Sequence, residues 1–358
     1  MGFGGTEQVI RQLIGNLAPD CFECEIACID GGPGEIGQQL ARDRGIVIHA
    51  KQRKPGFDKA LVRWLHGIIR KGKFDVVHGH QYSPFLYAWL AHWMTGTRMV
   101  FTEHGRFHPD RHRKKARFIN PFIARSSHAL VAISEATREA LAEYEYMPPS
   151  KIQVIYNGIE PPSRNPDRER QIRAELQLTP DDIVLGTVAR LDPVKNQALL
   201  LTATRRLRDE GYPVRLLLVG DGPEREKLET QARELSLEKS VVFTGFQENP
   251  ADYLGLMDVF LLPSFTEGTS MTLLEAMSLG VPVIASRVGG TPEIVEHEKT
   301  GFLFDSGDED GLLKAVKTLL DDPEAKRQMT TSAWKRFQQR FSARQMADQY
   351  QSLYLVGR

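Results

Sequence analysis

The chain has 358 residues, too long for one ordinary hydrophobic core, so two domains of roughly 150 residues each are expected. Its 46 Lys plus Arg balance 46 Asp plus Glu, which leaves no charge argument for a nucleic-acid partner, and none is expected. No apolar run reaches the roughly 20 residues that cross a bilayer; Met1 to Gly5 lacks the basic start and apolar core of a signal peptide, and the 3 cysteines are too few for a disulfide framework, so the cytoplasm is the expected compartment.

In chain order, a glycine-rich turn (Gly2 to Glu7) leads at once into a helix expected over Gln8 to Leu17. Such a turn normally follows the first strand of a Rossmann-like sheet. No strand precedes it here, so the expectation is a start internal to the natural chain and an N-terminal sheet without its first strand. Short β-rich runs follow at Glu25 to Ile29, Ile46 to His49, Asp75 to His78, Met99 to Thr102, Ala129 to Ile133 and Gln153 to Tyr156, with helical patterns between them. Cys21, Cys24 and Cys28 form a local cluster without a fourth ligand and read as core cysteines. Gly32 to Gly37 fits G-x-G-x-x-G, but Pro33 lies inside the turn and no acid falls near position 53, so a glycine-rich loop is expected rather than a dinucleotide site.

Lys59 to Lys73 reads as a basic amphipathic helix carrying Trp64, Tyr82 to Trp93 as a buried helix too short to span, and Arg111 to Arg117 as a basic run. The two basic segments suggest peripheral contact with an anionic inner membrane face. His104, His108 and His112 recur every four residues, but Gly105 and Pro109 interrupt that pattern, and no metal site is expected. Gly158 to Asp182, rich in proline and charge, reads as a linker followed by a short helix. Nearly continuous apolar strands then fall at Ile183 to Val188, Val214 to Val219, Val241 to Phe243, Val259 to Leu262 and Val283 to Ala285. Alternating with helices, they indicate a parallel sheet covered on both faces. Pro323 to Leu355 reads as helical. The fold class is therefore α/β, two Rossmann-like doubly wound domains facing a cleft: residues 1–160, residues 161–340, and a C-terminal helix over 341–358 packing back across the junction.

Two segments carry the chemistry. In Glu267 to Gly290 two carboxylates, Glu267 and Glu275, bracket a run of small hydroxylic residues where a helix begins after a strand. Backbone N–H groups at such a mouth suit phosphate, and the acids suit sugar hydroxyls. Thr272 to Glu275 also fits a capping box, which would reduce Glu275 to an amide acceptor. In Val188 to Asn196, Arg190 and Lys195 stand at a strand end, where two cations clamp a diphosphate and stabilise it as a leaving group; a solvated loop is the plainer alternative.

Together with Gly4-Gly5-Thr6-Glu7, Thr102-Glu103-His104-Gly105, Ile133-Ser134-Glu135, Asn157-Gly158-Ile159, Val219 to Pro223 and Phe243-Thr244-Gly245, these segments resemble, over nearly the whole chain, the GT-B glycosyltransferases of family 4, which are retaining and use a nucleotide sugar. The resemblance implies that Arg190 and Lys195 bind the donor diphosphate and that Glu267 faces the donor sugar. Gly268, Thr269, Ser270, Met271 and Thr272 line the sugar and phosphate pocket, and Glu275 holds the ribose. Gly4 and Gly5 approach the phosphates, His104 lies near the anomeric carbon, and Gly245 and Phe246 lie near the base. It implies transfer of a hexose from a nucleoside-diphosphate sugar, with uridine favoured, to a hydroxyl of a cell-surface saccharide or lipid-linked acceptor, with no cofactor or metal. A sugar-nucleotide epimerase of the same architecture, or a non-catalytic partner in a polysaccharide assembly complex, are the alternatives.

Overall fold

The computed structural model describes residues 4–105 and 116–356. The chain divides into two compact units. One runs to Glu160 and takes back the chain from Ser342; the other is Pro161–Phe341.

Unit 1 contains α1 (Gly5–Asn16), β1 (Glu25–Cys28), β2 (Asp30–Gly31), α2 (Gly34–Arg44), β3 (Val47–Gln52), α3 (Lys59–Gly72) and β4 (Val76–His80). It continues with α4 (Tyr82–Ala91), β5 (Arg98–Glu103), α5 (Ala116–Ser126), β6 (Ala129–Ala132), α6 (Glu135–Glu145) and β7 (Ile152–Val154). Strands β4-β5-β6-β7 form a parallel sheet, while β1 pairs with β3 in a separate sheet completed by antiparallel β2. The strands of unit 1 are thus split into two sheets, and β1 and β4 each keep one edge without a strand partner among the described residues. This is the arrangement expected of a doubly wound sheet lacking an inner strand. One apolar cluster, with Ile29 after β1, Leu61, Leu65 and Ile69 of α3, and Val77 of β4, spans both sheets.

Several expectations change here. Gly32 to Gly37 is not one loop: Gly34 opens α2, whose Ile36 and Leu40 turn inward at helical spacing. The cysteines are not core residues, since Cys21 is exposed and Cys24 and Cys28 are only half-buried beside an unpaired strand edge. The inner face of α3 is committed to unit 1, with Leu61, Leu65 and Ile69 buried and Val62, Trp64 and Ile68 half-buried. His108, His112 and the run Arg111 to Lys115 lie outside the described residues.

Unit 2 contains α7 (Pro166–Glu175), β8 (Ile183–Val188), α8 (Gln197–Asp209), β9 (Val214–Val219), α9 (Arg225–Glu234), β10 (Val241–Gly245) and α10 (Ala251–Leu254). It continues with β11 (Val259–Leu262), α11 (Met271–Ser278), β12 (Val283–Ser286), α12 (Thr291–Ile294), β13 (Phe302–Phe304), α13 (Glu309–Asp321) and α14 (Pro323–Arg340). All pairings are parallel, in the order β10-β9-β8-β11-β12-β13. The order reverses between β8 and β11, and in open α/β sheets the crevice at the carboxyl ends of such strands is where ligands bind. Central strands β8, β9 and β11 are buried almost throughout, which is why they read as unbroken apolar runs.

The helical stretch expected over Pro323 to Leu355 is two helices. Phe341 is fully buried, and Ser342 caps the N-terminus of α15 (Ala343–Leu355) by accepting from Gln345 N. Helix α15 packs on unit 1. Ala343 N donates to Ile159 O at 2.9 Å, and a Cβ on Gly158 would lie 2.3 Å from Ser342 O, so glycine is required at that crossing.

Amide exchange tests the split. Strands β5 and β6, paired on both edges, should exchange slowest in unit 1, and β1 and β4 markedly faster. Equal protection of all four would contradict the open edges.

Candidate active site

The carboxyl ends of β8 and β11 carry the two segments singled out from sequence, and the structure joins them. Lys195 Nζ lies 2.5 Å from Glu267 Oε1, and the same oxygen accepts from Ser264 Oγ at 2.7 Å. The Glu267 side chain is only 8% exposed and that of Lys195 24%, so the ion pair sits largely out of solvent. There a carboxylate is held only if its charge is paired and its oxygens are hydrogen-bonded. Backbone bonds brace the contact: Phe265 N donates to Val194 O at 2.8 Å, and Ser286 Oγ, at the end of β12, donates to Ser264 O at 2.5 Å.

The glycine pair after β12 supports the same point. Gly290 N donates to Glu267 O at 3.1 Å. Gly289 has φ +48°, and a Cβ there would lie 1.8 Å from Glu267 O, so this approach admits no side chain. In the loop after β8, Arg190 is 70% exposed and its Nε pairs loosely with Asp192 Oδ2 at 3.8 Å. Gly220 N donates to Gly245 O at 3.0 Å, which ties the ends of β9 and β10, and Phe246 beyond them is exposed.

Ser270 is the N-cap of α11, accepting from Leu273 N at 3.3 Å. This removes the capping-box alternative for Glu275: with Ser270 as cap, the third helical position is Leu273, and Glu275 lies half-buried within the helix. Gly268, Thr269 and Thr272 are half-buried along the same mouth, and Met271 starts the helix. Unit 2 therefore gathers Arg190, Lys195, Glu267 to Thr272, Glu275, Gly245 and Phe246 at the carboxyl ends of its strands. A cavity of about 960 Å³ elsewhere in unit 2, lined among others by His297, Lys314 and Lys335, includes none of them.

In unit 1, Gly4 caps α1, and Gln81 Nε2 donates to Thr6 Oγ1 at 3.0 Å, which places that helix start beside the carboxyl end of β4. His104, just past β5, has its Nε2 2.9 Å from His80 Nδ1, and its buried Nδ1 has no hydrogen-bond partner among the described residues. His78 bonds Tyr354 OH through Nδ1 (2.7 Å) and Thr102 Oγ1 through Nε2 (2.8 Å), and Thr102 in turn meets Tyr350 OH at 2.9 Å. Burial and mutual proximity hold His78 and His104 well below the ordinary imidazole range, and burial brings His80 down to about 4. Neutral rings then donate and accept along a fixed chain. His80, Ser264 and Ser286 were not singled out from sequence. For His80 a signal existed: His78-Gly79-His80 repeats at period two, which places both rings on one face of β4. Among the described residues no group of three or more His, Cys, Asp or Glu side chains is arranged to hold a metal ion.

Two Rossmann-like units, one of which gathers cations, carboxylates and a helix N-terminus at its topological switch point, define the GT-B fold. The chain belongs to the glycosyltransferases of group 1 and family 4: residues 168–336 match Glycosyl transferases group 1, and residues 3–162 match Glycosyltransferase Family 4. It is 30% identical over 310 residues to N-acetyl-alpha-D-glucosaminyl L-malate synthase of Bacillus anthracis, covering 84% of this chain and 79% of that protein. It is 27% identical over 332 residues to the UDP-Gal:alpha-D-GlcNAc-diphosphoundecaprenol alpha-1,3-galactosyltransferase of Escherichia coli, covering 89% and 85%. The crystal structure of Anabaena Alr3699/HepE in complex with UDP superposes with a TM-score of 0.84 at 22% identity, over 98% of this chain and 95% of that one. The protein is a glycosyltransferase.

The histidine chain has a pH signature. Burial lowers the His80 pKa from its ordinary 6.5 to about 4, so below pH 6.5 the unfolded chain should bind protons that the folded chain refuses. Stability should therefore fall as pH drops from 6.5 toward 4, with His78 and His104 adding in the same direction, and thermal melts of His80→Gln should show a shallower decline. An identical decline in the variant would contradict this account.

Proposed function

We propose that the enzyme moves a hexose, with retention, from a UDP-sugar to a hydroxyl of a saccharide or lipid-linked acceptor, working in contact with an anionic membrane surface. The observation that carries the reading is the Lys195–Glu267 contact at the switch point of unit 2, with Arg190 exposed beside it. An arriving diphosphate competes with Glu267 for the lysine, so the carboxylate is released toward the sugar hydroxyls as the cation takes the phosphate. Arg190 joins Lys195 on the diphosphate. Glu275 holds the ribose, Gly268 to Thr272 line the phosphate and sugar, and Gly245 and Phe246 border the base. Within unit 1, Gly4 and Gly5 serve phosphate, and neutral His104 contacts a donor or acceptor hydroxyl.

In this reading the bond from the anomeric carbon to the diphosphate breaks as the acceptor oxygen attacks the same face. The acceptor proton passes to a phosphate oxygen and leaves with the nucleoside diphosphate. The protein contributes positioning and charge stabilisation, and needs neither a carboxylate nucleophile nor a metal. A uridine donor is supported by the UDP bound in the Anabaena structure and by the UDP-Gal in the name of the E. coli relative, whose name also specifies a diphosphoundecaprenol-linked acceptor.

Transfer rates decide the matter. Arg190→Ala and Glu267→Gln should each lower kcat by about 10²–10³, the usual loss when one transition-state electrostatic group is removed. UDP should raise the melting temperature of the wild-type enzyme by mass action. Unchanged transfer in both variants would overturn the residue roles. Epimer formed from donor alone would favour an isomerase, and no donor binding at all would favour a non-catalytic partner.

A further inference from the structure

The basic helix α3 has little apolar surface left for a membrane contact, because Leu61, Leu65 and Ile69 are buried in unit 1 and Val62, Trp64 and Ile68 are half-buried. Another surface has more. On α5, Asn120, Ile123 and Ala124 face inward, while Phe118 (75%), Ile119 (53%) and Phe122 (54%) are exposed. Just past α4, Trp93 is 49% exposed and Met94 99%, with Met94 held at φ +63°. The two groups meet: the rings of Trp93 and Phe122 lie 6.5 Å apart, both pack on the buried Trp89, at 5.8 and 6.0 Å, and Phe118 and Ile119 precede Phe122 by four and three residues on the same helix face.

The exposure is not loose packing. Asn120 pins the inner face of α5, accepting from Tyr82 OH at 2.7 Å and donating to Glu145 O at 2.8 Å. A pinned helix that shows three large apolar side chains to water, beside a methionine in a strained backbone conformation, is a built feature. The charge on α5 itself is one-sided: residues 116–126 contain no Asp or Glu, Arg117 and Arg125 are exposed, and Arg117 lies 4.8 Å over the Phe118 ring, while the nearest helix, α6, carries the exposed acids Glu139 and Glu143. Aromatic and aliphatic side chains rimmed by arginine, with no acid among them, complement an anionic bilayer surface: the rings enter the headgroup boundary and the guanidinium groups meet phosphate.

We infer that the face formed by Trp93, Met94, Phe118, Ile119 and Phe122, with Arg117 and Arg125, is the surface by which this enzyme docks on anionic lipid. The inference rests on the membrane-contact part of the reading above. Its failure is separable from failure of the transferase reading, because transfer to a water-soluble acceptor needs no vesicle.

Co-sedimentation of the full chain with large unilamellar vesicles tests it, using phosphatidylcholine alone and phosphatidylcholine mixed with phosphatidylglycerol. The wild type should pellet with the anionic vesicles only, and less as salt rises. Phe122→Ser with Trp93→Ser should abolish pelleting, and Arg117→Glu and Arg125→Glu should each weaken it about five-fold or more. Arg70→Glu with Lys71→Glu on α3 should change it far less. Unchanged melting temperature and UDP-induced stabilisation show that each variant is folded. Absence of wild-type binding, or loss confined to the α3 variant, would overturn the assignment. So would a wild-type dimer that Phe122→Ser converts to monomer, which would give this face to a second copy of the chain.

Discussion

A carboxylate buried at the end of a strand needs a cation, and much of unit 2 is arranged around that requirement at Glu267. Its side chain is nearly out of solvent, so its charge is sustained by Lys195 and by the hydroxyl of Ser264. The lysine comes from the loop after β8 and the glutamate from the loop after β11, the two neighbours at which the strand order reverses. One ion pair therefore clasps the two lips of the crevice. In the proposed reading it is also a place-holder: an anionic donor offers Lys195 a second partner of the same sign, and the sugar hydroxyls of that donor replace the lysine as hydrogen-bond donors to Glu267.

The surrounding backbone makes that contact rigid. Gly289 lets the loop after β12 press on the Glu267 carbonyl, Gly290 donates to it, and Ser286 reaches back to Ser264. The ends of β8, β11 and β12 are thereby tied to the segment from Ser264 to Glu267. Unit 1 uses a different device at the ends of β4 and β5, a chain of neutral histidines running from Tyr354 and Thr102 through His78, and from His80 to His104. Helix α15 anchors the first part of that chain through Tyr350 and Tyr354, so the C-terminal segment takes part in organising the strand ends of unit 1.

How much of this was legible depended on the range of the interaction. The buried strands of unit 2 announce themselves as apolar runs, and Arg190, Lys195, Glu267 and Glu275 stand out because they follow such runs at fixed offsets. Strands β2 and β13 do not, being two and three residues long. The break at Ser342 hides in a helical pattern because a buried Phe341 keeps the apolar periodicity going. The capping-box alternative at Thr272 stayed open because Ser270 and Thr272 are equally good caps locally; the strand-to-helix turn chose Ser270. The Lys195–Glu267 pair joins residues 72 positions apart, and no local pattern encodes it. The basic amphipathic pattern of α3 was legible, but not that Leu61, Leu65 and Ile69 are spent inside the protein, which only tertiary packing decides.

The central claim is that Lys195 and Glu267 act as one unit in catalysis, and a double-mutant cycle on kcat/KM with the UDP-sugar tests it most directly. Lys195→Ala and Glu267→Gln should each be severely impaired, and the double variant little worse than the poorer single variant, giving a coupling energy on the order of 1 kcal/mol or more. Strictly additive losses would mean that the two side chains serve independently, and would contradict the account.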